Sequence, residues 1–361
     1  MAPPVLADVD LRASRADYVE ALGRGDRRRA TEVAFDLLYR GMPASAVLTE
    51  LVADGQVAVG LAWQDGRWDV AREHRASAVA EAVIQAVVLQ ATPPLLAPAV
   101  GGRGRVAVVG AEGEWHVLPG RLVGEVLRLN GFDVDFVGPS VPAAELAAAE
   151  ETPDVVAVSC SMPSSLLGAW HTITALREAG RAIVCGGRGF GPDGMWGRAL
   201  GADLGAHDLD AGMALLDEAI ASPRPAPRGD AVPPDLAAEI TLAERESASV
   251  VESATHLAVA RWGHLAVDET WVREARGLLR LTLRAALAAT LVGDDRIMID
   301  HVRWAESVLG ARRMPISLVA ETFNLLVTAM PADLPRCSAT ARAGLAACAE
   351  PPPTTLPALR R

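Results

Sequence analysis

Apolar positions recur with a helical period from residue 14 to residue 92. Glycine, proline and aspartate interrupt this period at three points, as they do where one helix ends and the next begins. The predicted helices lie near residues 16–22, 27–40, 44–63 and 70–90. Four amphipathic helices with short connections are typical of an up-down arrangement, so we predict a four-helix bundle over residues 14–92.

The pattern changes at residue 103, where short apolar runs begin to alternate with helical segments. The apolar runs are RVAVVG, FDVDFVG, DVVAVS and RAIVCGG, followed by a shorter fifth run, ADLGA. Helices are predicted near residues 120–130, 143–150, 165–179 and 208–221. Alternation of strands and helices favours a parallel sheet with helices on both faces. Residues 103–222 are therefore predicted to form a flavodoxin-like, doubly wound α/β domain.

Residues 236–350 return to a helical period and form about five segments. The breaks fall at Asp268, at Gly293-Asp294, at Pro315 and between Pro331 and Pro335. Stretches rich in proline and glycine separate this region and the first bundle from the α/β domain, as linkers do. The predicted fold class is α/β plus all-α, with a C-terminal helical domain over residues 236–350.

Composition narrows the classes of function. The 361 residues carry a net charge of −11, which argues against nucleic acid as a direct partner. All 34 basic residues are arginine, so a cofactor held as a Schiff base on a lysine amine is excluded. No run reaches the roughly 18 apolar residues of a membrane span, and no signal-peptide pattern opens the chain, which predicts a cytoplasmic protein without a membrane partner. Four scattered cysteines without a CxxC pair indicate no zinc site.

Three loops that follow predicted strands carry the residues of greatest chemical interest. Ligands of open parallel sheets bind outside the carboxyl ends of the strands, where such loops meet. The residues are Glu114 and His116 after the first strand, Ser159 and Ser161 after the third, and Gly186 and Gly187 after the fourth. Neither GxGxxG nor GK[ST] occupies these loops, so no nucleotide loop is indicated. A carboxylate two residues before a histidine can instead accept the ring N–H and orient the ring toward a metal.

Glu-x-His with a glycine close behind, then Ser-x-Ser, then Gly-Gly, resembles the cobalamin-binding domain. The resemblance implies that His116 displaces the dimethylbenzimidazole base and becomes the lower axial ligand of cobalt, oriented by Glu114. The four small residues of the other two loops would line the slot for the displaced nucleotide tail. Glu114 replaces the family's usual aspartate, and Pro119 stands where a glycine is expected, with Gly120 one residue later. The alternative is that His116 is a polar loop residue of an ordinary α/β domain.

The junction between the third and fourth predicted helices, AWQDGRWDVAREH, is rich in aromatic and charged side chains. Trp63, nine intervening residues and Glu73-His74 resemble the bundle of the light-sensing cobalamin repressors, and Val70 falls at a contact position of that family. The resemblance implies that these residues border the upper ligand of adenosylcobalamin, with Trp63 packed over the 5′-deoxyadenosyl group and Glu73 bonded to its ribose. Gln64 departs from the family, which has a histidine there. Alternatively, Trp63 is a core residue and Glu73-His74 is a solvated helix start.

Residues 276–330 resemble the globin-like sensor domains that bind no haem in stress-response proteins. A cobalamin-binding domain followed by such a module resembles the photocobilins, which use cobalamin and a linear tetrapyrrole, over essentially the whole chain. This resemblance implies a biliverdin at the C-terminal domain. A bilin needs cations for its propionates and an apolar slot, and the leading candidates are His256, Arg261 and His264. Other candidates are the helical row Arg276, Arg280 and Arg284 and the neighbouring pair His301 and Trp304. Alternatively, each of these rows forms a solvated helix face. Since no cysteine lies in an attachment motif, we expect non-covalent binding, with Cys337 as the candidate for a thioether link.

The chain is open to three interpretations. The leading one is a photoreceptor rather than an enzyme, with adenosylcobalamin between bundle and α/β domain, biliverdin at the C-terminal domain, and a homodimer that signals to a separate protein. The second is a corrinoid methyl carrier, which needs His116 and the bundle but neither Glu73-His74 nor the C-terminal domain. The third is a light-independent, cobalamin-sensing stress regulator. A catalytic mutase would need a further barrel of about 250 residues, for which the chain has no segment.

Overall fold

Four helices form the N-terminal part of the protein in the computed structural model, which describes residues 10–91, 102–149, 152–222, 231–262 and 269–349. They are α1 (Leu11–Arg24), α2 (Arg27–Tyr39), α3 (Ala44–Gln64) and α4 (Val70–Ala91). All four predicted helices are present. Helix α1 begins earlier than expected because the Asp10 side chain accepts the N–H of Ala13 and caps the first turn. The apolar faces of the four helices share one core, referred to below as the N-terminal core.

Helix α3 changes its winding along its length. Its middle stretch, Val47–Ala53, is π-helical, between the α-helical stretches Ala44–Ala46 and Asp54–Gln64. A π-helical turn is wider than an α-helical turn because its hydrogen bonds span five residues instead of four. This stretch therefore helps to set the direction in which the later residues of α3 point, among them Trp63.

A five-stranded parallel sheet follows the N-terminal helices. Its strands are β1 (Arg105–Gly110), β2 (Asp133–Gly138), β3 (Val155–Ser159), β4 (Ile183–Gly186) and β5 (Leu204–Gly205), in the order β2-β1-β3-β4-β5. The helices between and after them are α5 (Val117–Leu129), α6 (Ala143–Ala148), α7 (Leu166–Glu178), α8 (Met195–Ala199) and α9 (Leu209–Ala221). The predicted parallel sheet is confirmed. Its strand order reverses between β1 and β3, where ligands of such sheets bind.

The two faces of the sheet have different neighbours, because successive strand residues point to opposite sides. Val106 and Val108 of β1 pack with α5 and α9. Ala107 and Val109 face the other way and share a continuous core with α7 and the C-terminal helices. The N-terminal core extends onto α5 through Leu122. The N-terminal and C-terminal helices thus lie against different sides of the α/β domain.

Five helices occupy the described part of the C-terminal region. They are α10 (Pro234–Trp262), α11 (Glu269–Val292), α12 (Arg296–Ala311), α13 (Ser317–Ala329) and α14 (Pro335–Ala346). The predicted breaks after α11, α12 and α13 are present, whereas Asp268 lies outside the described residues. Helix α11 contacts the other four helices and is the centre of this region. Its likeness to a globin stays a prediction.

Within the described ranges, α3 is long and apolar enough to cross a membrane by length and composition. Its Leu48, Leu51 and Val59 are buried in the N-terminal core. The central helix of a packed helical layer meets the same criteria of length and hydropathy. Helix α3 therefore does not indicate a membrane protein.

An ion pair joins α7 to α10. Nε2 of His171 lies 3.0 Å from Oε2 of Glu244, and the hydrogen bond to Glu244 raises the pKa of His171 above its ordinary value. A histidine whose pKa is higher in the folded state stabilises the fold below its unfolded-state pKa, and this contribution is lost as the pH rises through the folded-state pKa. The pair is partly exposed, so we expect it to contribute ~0.5 kcal/mol at about pH 6 and nothing at about pH 9.

Urea unfolding of the wild-type protein and of Glu244→Gln at these two pH values tests this expectation. The variant should lose stability at the lower pH and match the wild type at the higher pH. Glu246→Gln, which removes the same charge two residues later on α10, at a carboxylate without a histidine partner among the described residues, is the matched control. Equal losses at both pH values in Glu244→Gln would show that the His171 pair has no pH-linked role.

Candidate cobalamin site

The loop between β1 and α5 holds His116 against a buried carboxylate. Glu114 is 3% exposed, and its Oε1 accepts the ring Nδ1–H of His116 at 2.5 Å and the backbone N–H groups of Trp115 and His116 at 3.0 and 3.1 Å. Its Oε2 accepts the backbone N–H of Ser161 at 2.9 Å. With Nδ1 as the donor, the lone pair of the neutral ring lies on Nε2, which has no partner in the described part of the chain. His116 is thus oriented to offer Nε2 to a metal.

The same hydrogen bonds shift the pKa values of the pair. Burial opposes the ionisation of Glu114, but the hydrogen bonds from His116 and from the Ser161 backbone outweigh burial and lower the pKa of this carboxyl group. The hydrogen bond to Glu114 raises the pKa of His116, and the negative charge of Glu73 on α4 adds to the rise. Helix α4, which carries Glu73, is joined to α5 by the ion pair of Glu81 with Arg121 at 3.4 Å, so it lies beside the helix that follows the His116 loop.

Small residues line the carboxyl edge of the sheet beside this loop. Ser159 pairs in register with Gly110 on one side and with Gly186 on the other, so three adjacent strand ends carry little side-chain bulk. A Cβ on Gly186 would find no atom nearer than 4.0 Å. Gly187 has a φ of +104°, and a Cβ there would collide with the carbonyl oxygen of Cys160. Gly186 thus leaves an open slot, while Gly187 is required by the backbone.

A polar cluster joins α3 to α4. Oγ of Ser77 lies 2.9 Å from Oε1 of Glu73 and 3.1 Å from Oε1 of Gln56. The buried Nε2 of Gln56 has no hydrogen-bond partner among the described residues. Gly60, one turn later on α3, is exposed, and a Cβ there would meet no atom within 4 Å. An unsatisfied buried amide beside open space is what a bound polar group would satisfy.

Trp63, at the end of α3, contacts the C-terminal helices. Its ring stacks on Trp304 of α12 with centroids 6.4 Å apart and planes 25° apart. The guanidinium of Arg312 lies 4.9 Å above Trp63 and donates to the carbonyl oxygens of Trp63 and Gln64 at 3.3 and 3.4 Å. Nε2 of Gln64 donates to Oγ of Ser307 at 3.1 Å. The elbow between α3 and α4 is therefore a contact between the N-terminal and C-terminal helices.

The contact continues into the C-terminal core as a row of rings. The His301 ring lies 5.7 Å from the ring of Trp304 and 6.4 Å from that of the fully buried Phe323. Burial lowers the pKa of His301 to about 4, so its imidazole is neutral at physiological pH. Nε2 of His301 lies 3.0 Å from Oγ1 of Thr282 on α11. Trp63, Trp304, His301 and Phe323, referred to below as the aromatic row, connect the elbow to this core.

The remaining elbow residues have different surroundings. Val70 is 54% exposed, and His74 is exposed with its Nδ1 2.6 Å from Oε2 of Glu73. Trp68 is buried in the N-terminal core, where a Cβ on Gly23 would collide with its ring. The structure thus places Glu73 near His116 and leaves Val70 and His74 at the surface. The core tryptophan of the elbow is Trp68, whereas Trp63 is partly exposed and lies outside the N-terminal core.

The residues predicted to hold a bilin have separate partners. His256 on α10 is exposed and pairs with Glu252 at 3.1 Å. Nη1 of Arg261 lies 3.2 Å from Oε1 of Glu321, a carboxylate that is 1% exposed and whose pKa is raised by burial. His264 lies outside the described residues. The described part of the chain therefore does not bring His256 and Arg261 together, and Arg261 lies beside the buried carboxylate of Glu321.

Cys337 is unsuited to a thioether link. Its side chain is fully buried, and burial raises its pKa to about 12. A thiolate is the reactive form of cysteine, and this environment excludes it. Attachment at Cys337 would require the C-terminal core to open, because the residue belongs to that core.

The sequence analysis did not predict Gln56 and Gly60 as site residues. They lie seven and three residues before Trp63, which places all three on one side of a helix. A glutamine and a glycine on the face that also carries the elbow tryptophan could have indicated an open, polar surface. The contact of Trp63 with Trp304 has no such signal, since the two residues are far apart in the chain.

Comparison with protein-family models gives two matches. Residues 104–209 match a model of the B12 binding domain, and residues 14–87 match a second B12 binding domain model. Comparison with curated proteins gives no significant match.

Several solved structures are similar to the chain at low identity. The monomethylamine corrinoid protein of Methanosarcina barkeri is 20% identical over 57% of this chain and 99% of its own, with a TM-score of 0.48. The methanol:cobalamin methyltransferase complex of Methanosarcina barkeri is 22% identical over 61% of this chain and 84% of its own, with a TM-score of 0.30. A cobalamin-binding protein of Desulfitobacterium hafniense DCB-2 is 19% identical over 58% of this chain and 98% of its own, with a TM-score of 0.31.

The parallel sheet and the two family-model matches define a cobalamin-binding protein. One match contains the His116 loop, and the other contains the elbow with Glu73. The residues present fit the cofactor, because Nε2 of His116 has no partner among the described residues and Gly186 leaves an open slot between strand ends. The open space beside Gly60 lies on α3, in the N-terminal match.

Proposed function

We propose that this protein is a light sensor that binds adenosylcobalamin and transmits the state of its upper ligand to the C-terminal helices. The observation that carries the proposal is the stack of Trp63 on Trp304, because it joins α3 to the C-terminal core. Gln56 and Gly60 of α3, with Glu73 of α4, border the region proposed for the upper ligand, referred to below as the upper-ligand space. His116, oriented by Glu114, would bind the cobalt through Nε2. When bound, adenosylcobalamin supplies a weak cobalt–carbon bond that light cleaves.

The side chains around the upper-ligand space make different kinds of contact with the ligand. Glu73 and the unsatisfied amide of Gln56 hydrogen-bond polar groups of the upper ligand. Trp63 contributes contact area with its indole ring. A change in what fills this space changes the packing on one side of Trp63, and its stack with Trp304 and the bonds from Arg312 pass this change on. Packed interfaces change between discrete arrangements, so a small shift at Trp63 can move α12 as a unit.

The proposal includes a non-covalently bound biliverdin at the C-terminal helices, with Arg261 as a cation for one propionate. It also includes a cytoplasmic homodimer that signals to a partner protein and has no catalytic activity of its own. The support for these parts is the sequence resemblance to photocobilins.

Absorption spectroscopy tests the proposal. The purified protein is mixed in the dark with adenosylcobalamin and biliverdin, desalted, and measured before and after green and red light. We expect cobalamin to be retained, its bands to change on illumination, and backbone hydrogen exchange in α12 and α13 to change with them. Red-light changes in the cobalamin bands would support the bilin. Bound cobalamin that responds no differently from the free cofactor, with unchanged hydrogen exchange, would refute light sensing.

The aromatic row gives a prediction for the path of the signal. Trp304→Ala should leave the light-driven absorption change intact and remove the exchange change in α12 and α13, because Trp63 then has no ring to displace. In the dark, a double-mutant cycle of Trp63→Ala and Trp304→Ala should give a coupling of about 0.5–1.5 kcal/mol, as expected for an aromatic pair. Trp170→Ala on α7 is the control. Additive effects of the two substitutions would contradict a direct contact.

A corrinoid methyl carrier is the second candidate, and the comparisons by themselves favour it. Both family-model matches fall on segments that a carrier needs, and neither reaches the C-terminal helices. The exposure of Val70 and Leu61 beside the elbow also agrees with a surface open to a methyltransferase. A carrier would bind methylcobalamin at least as tightly as adenosylcobalamin and would show the same hydrogen exchange in light and dark.

A further inference from the structure

Arg284 extends from α11 of the C-terminal helices to the carboxyl edge of the sheet. Its Nε donates to the carbonyl oxygen of Ser164, in the turn after β3, at 3.0 Å. Its Nη2 lies 3.8 Å from the position that a Cβ would take on Gly113, in the loop after β1. Burial raises the pKa of Cys160, the residue after β3, and the positive charge of Arg284 opposes that rise. Arg284 therefore lies where the strand order reverses, beside the His116 loop.

The free end of this guanidinium is available to a ligand. Among the described residues, Nη1 and Nη2 of Arg284 make no hydrogen bond or ion pair, although the side chain is partly buried. Arg284 is also the single group of the described chain within 4 Å of a Cβ on Gly113. A guanidinium with two unengaged nitrogens beside open space is suited to binding a phosphate or carbonyl oxygen.

We propose that Arg284 binds an oxygen acceptor at the periphery of the bound corrinoid, so that the C-terminal helices complete the cobalamin site. The acceptor is the phosphate of the nucleotide tail or a side-chain amide of the ring, which present the same hydrogen-bond chemistry to a guanidinium. The inference rests on the cobalamin-binding part of the proposed function and is independent of light.

This arrangement gives the C-terminal helices a second connection to the cofactor. Helix α11 carries Arg284 to the sheet edge and, two residues earlier, Thr282 to His301 in the aromatic row. Trp63 of the elbow, beside the proposed upper ligand, belongs to the same aromatic row through its stack on Trp304. Cofactor binding and the position of the C-terminal helices are thereby linked from both sides of the site.

Binding measurements in the dark with cobalamin and with cobinamide, which lacks the phosphate and the nucleotide, test the proposal. Arg284→Gln should weaken cobalamin binding by about 10- to 100-fold, as expected for a lost charged hydrogen bond. If the acceptor is the phosphate, cobinamide binding will be unchanged; if it is an amide, cobinamide binding will fall equally. Arg280→Gln, which alters an exposed arginine one turn earlier on α11, is the matched control. Wild-type affinities of Arg284→Gln for both corrinoids would overturn the proposal.

A second measurement uses the wild-type protein and avoids any effect of substitution on folding. Phenylglyoxal modifies accessible arginines, and peptide mass spectrometry reports the extent at each site. Cobalamin should protect Arg284 and leave Arg280 as reactive as before, whereas equal modification of Arg284 with and without cobalamin would overturn the proposal. A protein that binds cobalamin but ignores light would refute the sensor while leaving both tests of Arg284 valid. Failure of the wild type to bind either corrinoid would refute the proposed function itself.

Discussion

Replacing His116 by alanine should weaken cobalamin binding on the order of 100-fold, because even the loss of a residue that only orients a metal ligand costs 10- to 100-fold. Glu114→Gln should cost somewhat less, since the ring stays but its orienting carboxylate is lost. Oε1 and Oε2 of Glu114 together accept four N–H groups, and an amide in this place would oppose one donor with another. Titration of each apoprotein with cobalamin, followed by absorption, gives the affinities.

Electron paramagnetic resonance of the cobalt(II) form identifies the ligand atom directly. Histidine labelled with ¹⁵N should convert the nitrogen hyperfine triplet of the wild-type protein into a doublet, because ¹⁵N has nuclear spin one half. His256→Ala, on the exposed side of α10, is the control and should bind cobalamin as the wild type does. An unchanged triplet in the labelled wild type would show that the cofactor keeps its own base and that His116 is a polar loop residue.

Gly168→Ala should destabilise the protein by about 3 kcal/mol or more and also weaken cobalamin binding, because there is no room for a Cβ at this position. A Cβ on Gly168 of α7 would lie 1.7 Å from the carbonyl oxygen of Glu112. Overpacking against a side chain typically costs 1–3 kcal/mol, and a backbone atom can yield less. The displaced loop would carry Glu114 and His116 away from the sheet edge.

Gly277→Ala on α11 is the matched control. A Cβ on Gly277 would meet no atom within 4 Å, so the same substitution should stabilise the helix by roughly 0.5–1 kcal/mol through reduced backbone entropy. Urea unfolding gives the stabilities, and titration with cobalamin gives the affinities. If Gly168→Ala were as stable as Gly277→Ala, the close packing of α7 on the His116 loop would be refuted.

Much of the fold follows from local patterns in the sequence. The five strands are apolar runs between glycines and charged residues, so their alternation with helical segments predicts the α/β domain. The breaks between the C-terminal helices fall at Gly293, Pro315 and Pro331, residues that end helices. Helix α8 has no comparable signal. It spans five residues beside a glycine-rich turn, and its Trp196 is buried by contacts from other parts of the chain. Such a short segment is fixed by packing rather than by period.

The candidate site likewise has one part that the sequence predicts and another that depends on packing. Glu114 and His116 are two residues apart, so the sequence itself contains their geometry, and the structure adds the backbone N–H groups that hold the carboxylate. Trp63 illustrates the opposite case, because its partner Trp304 comes from a different helical region. The cation at the sheet edge, Arg284, is likewise set by how α11 packs on the turn after β3. Contacts between distant segments depend on packing that no local pattern encodes.

The π-helical stretch Val47–Ala53 makes the number of residues in α3 as important as their identity. Each residue added to or removed from a helix turns everything after it by about 100°. A single deletion before Gln56 would turn this residue away from Ser77 and, in the same step, turn Trp63 away from Trp304. In evolutionary terms, the upper-ligand space and the contact with the C-terminal helices form one length-dependent unit, which can absorb many substitutions but no change of a single residue in length.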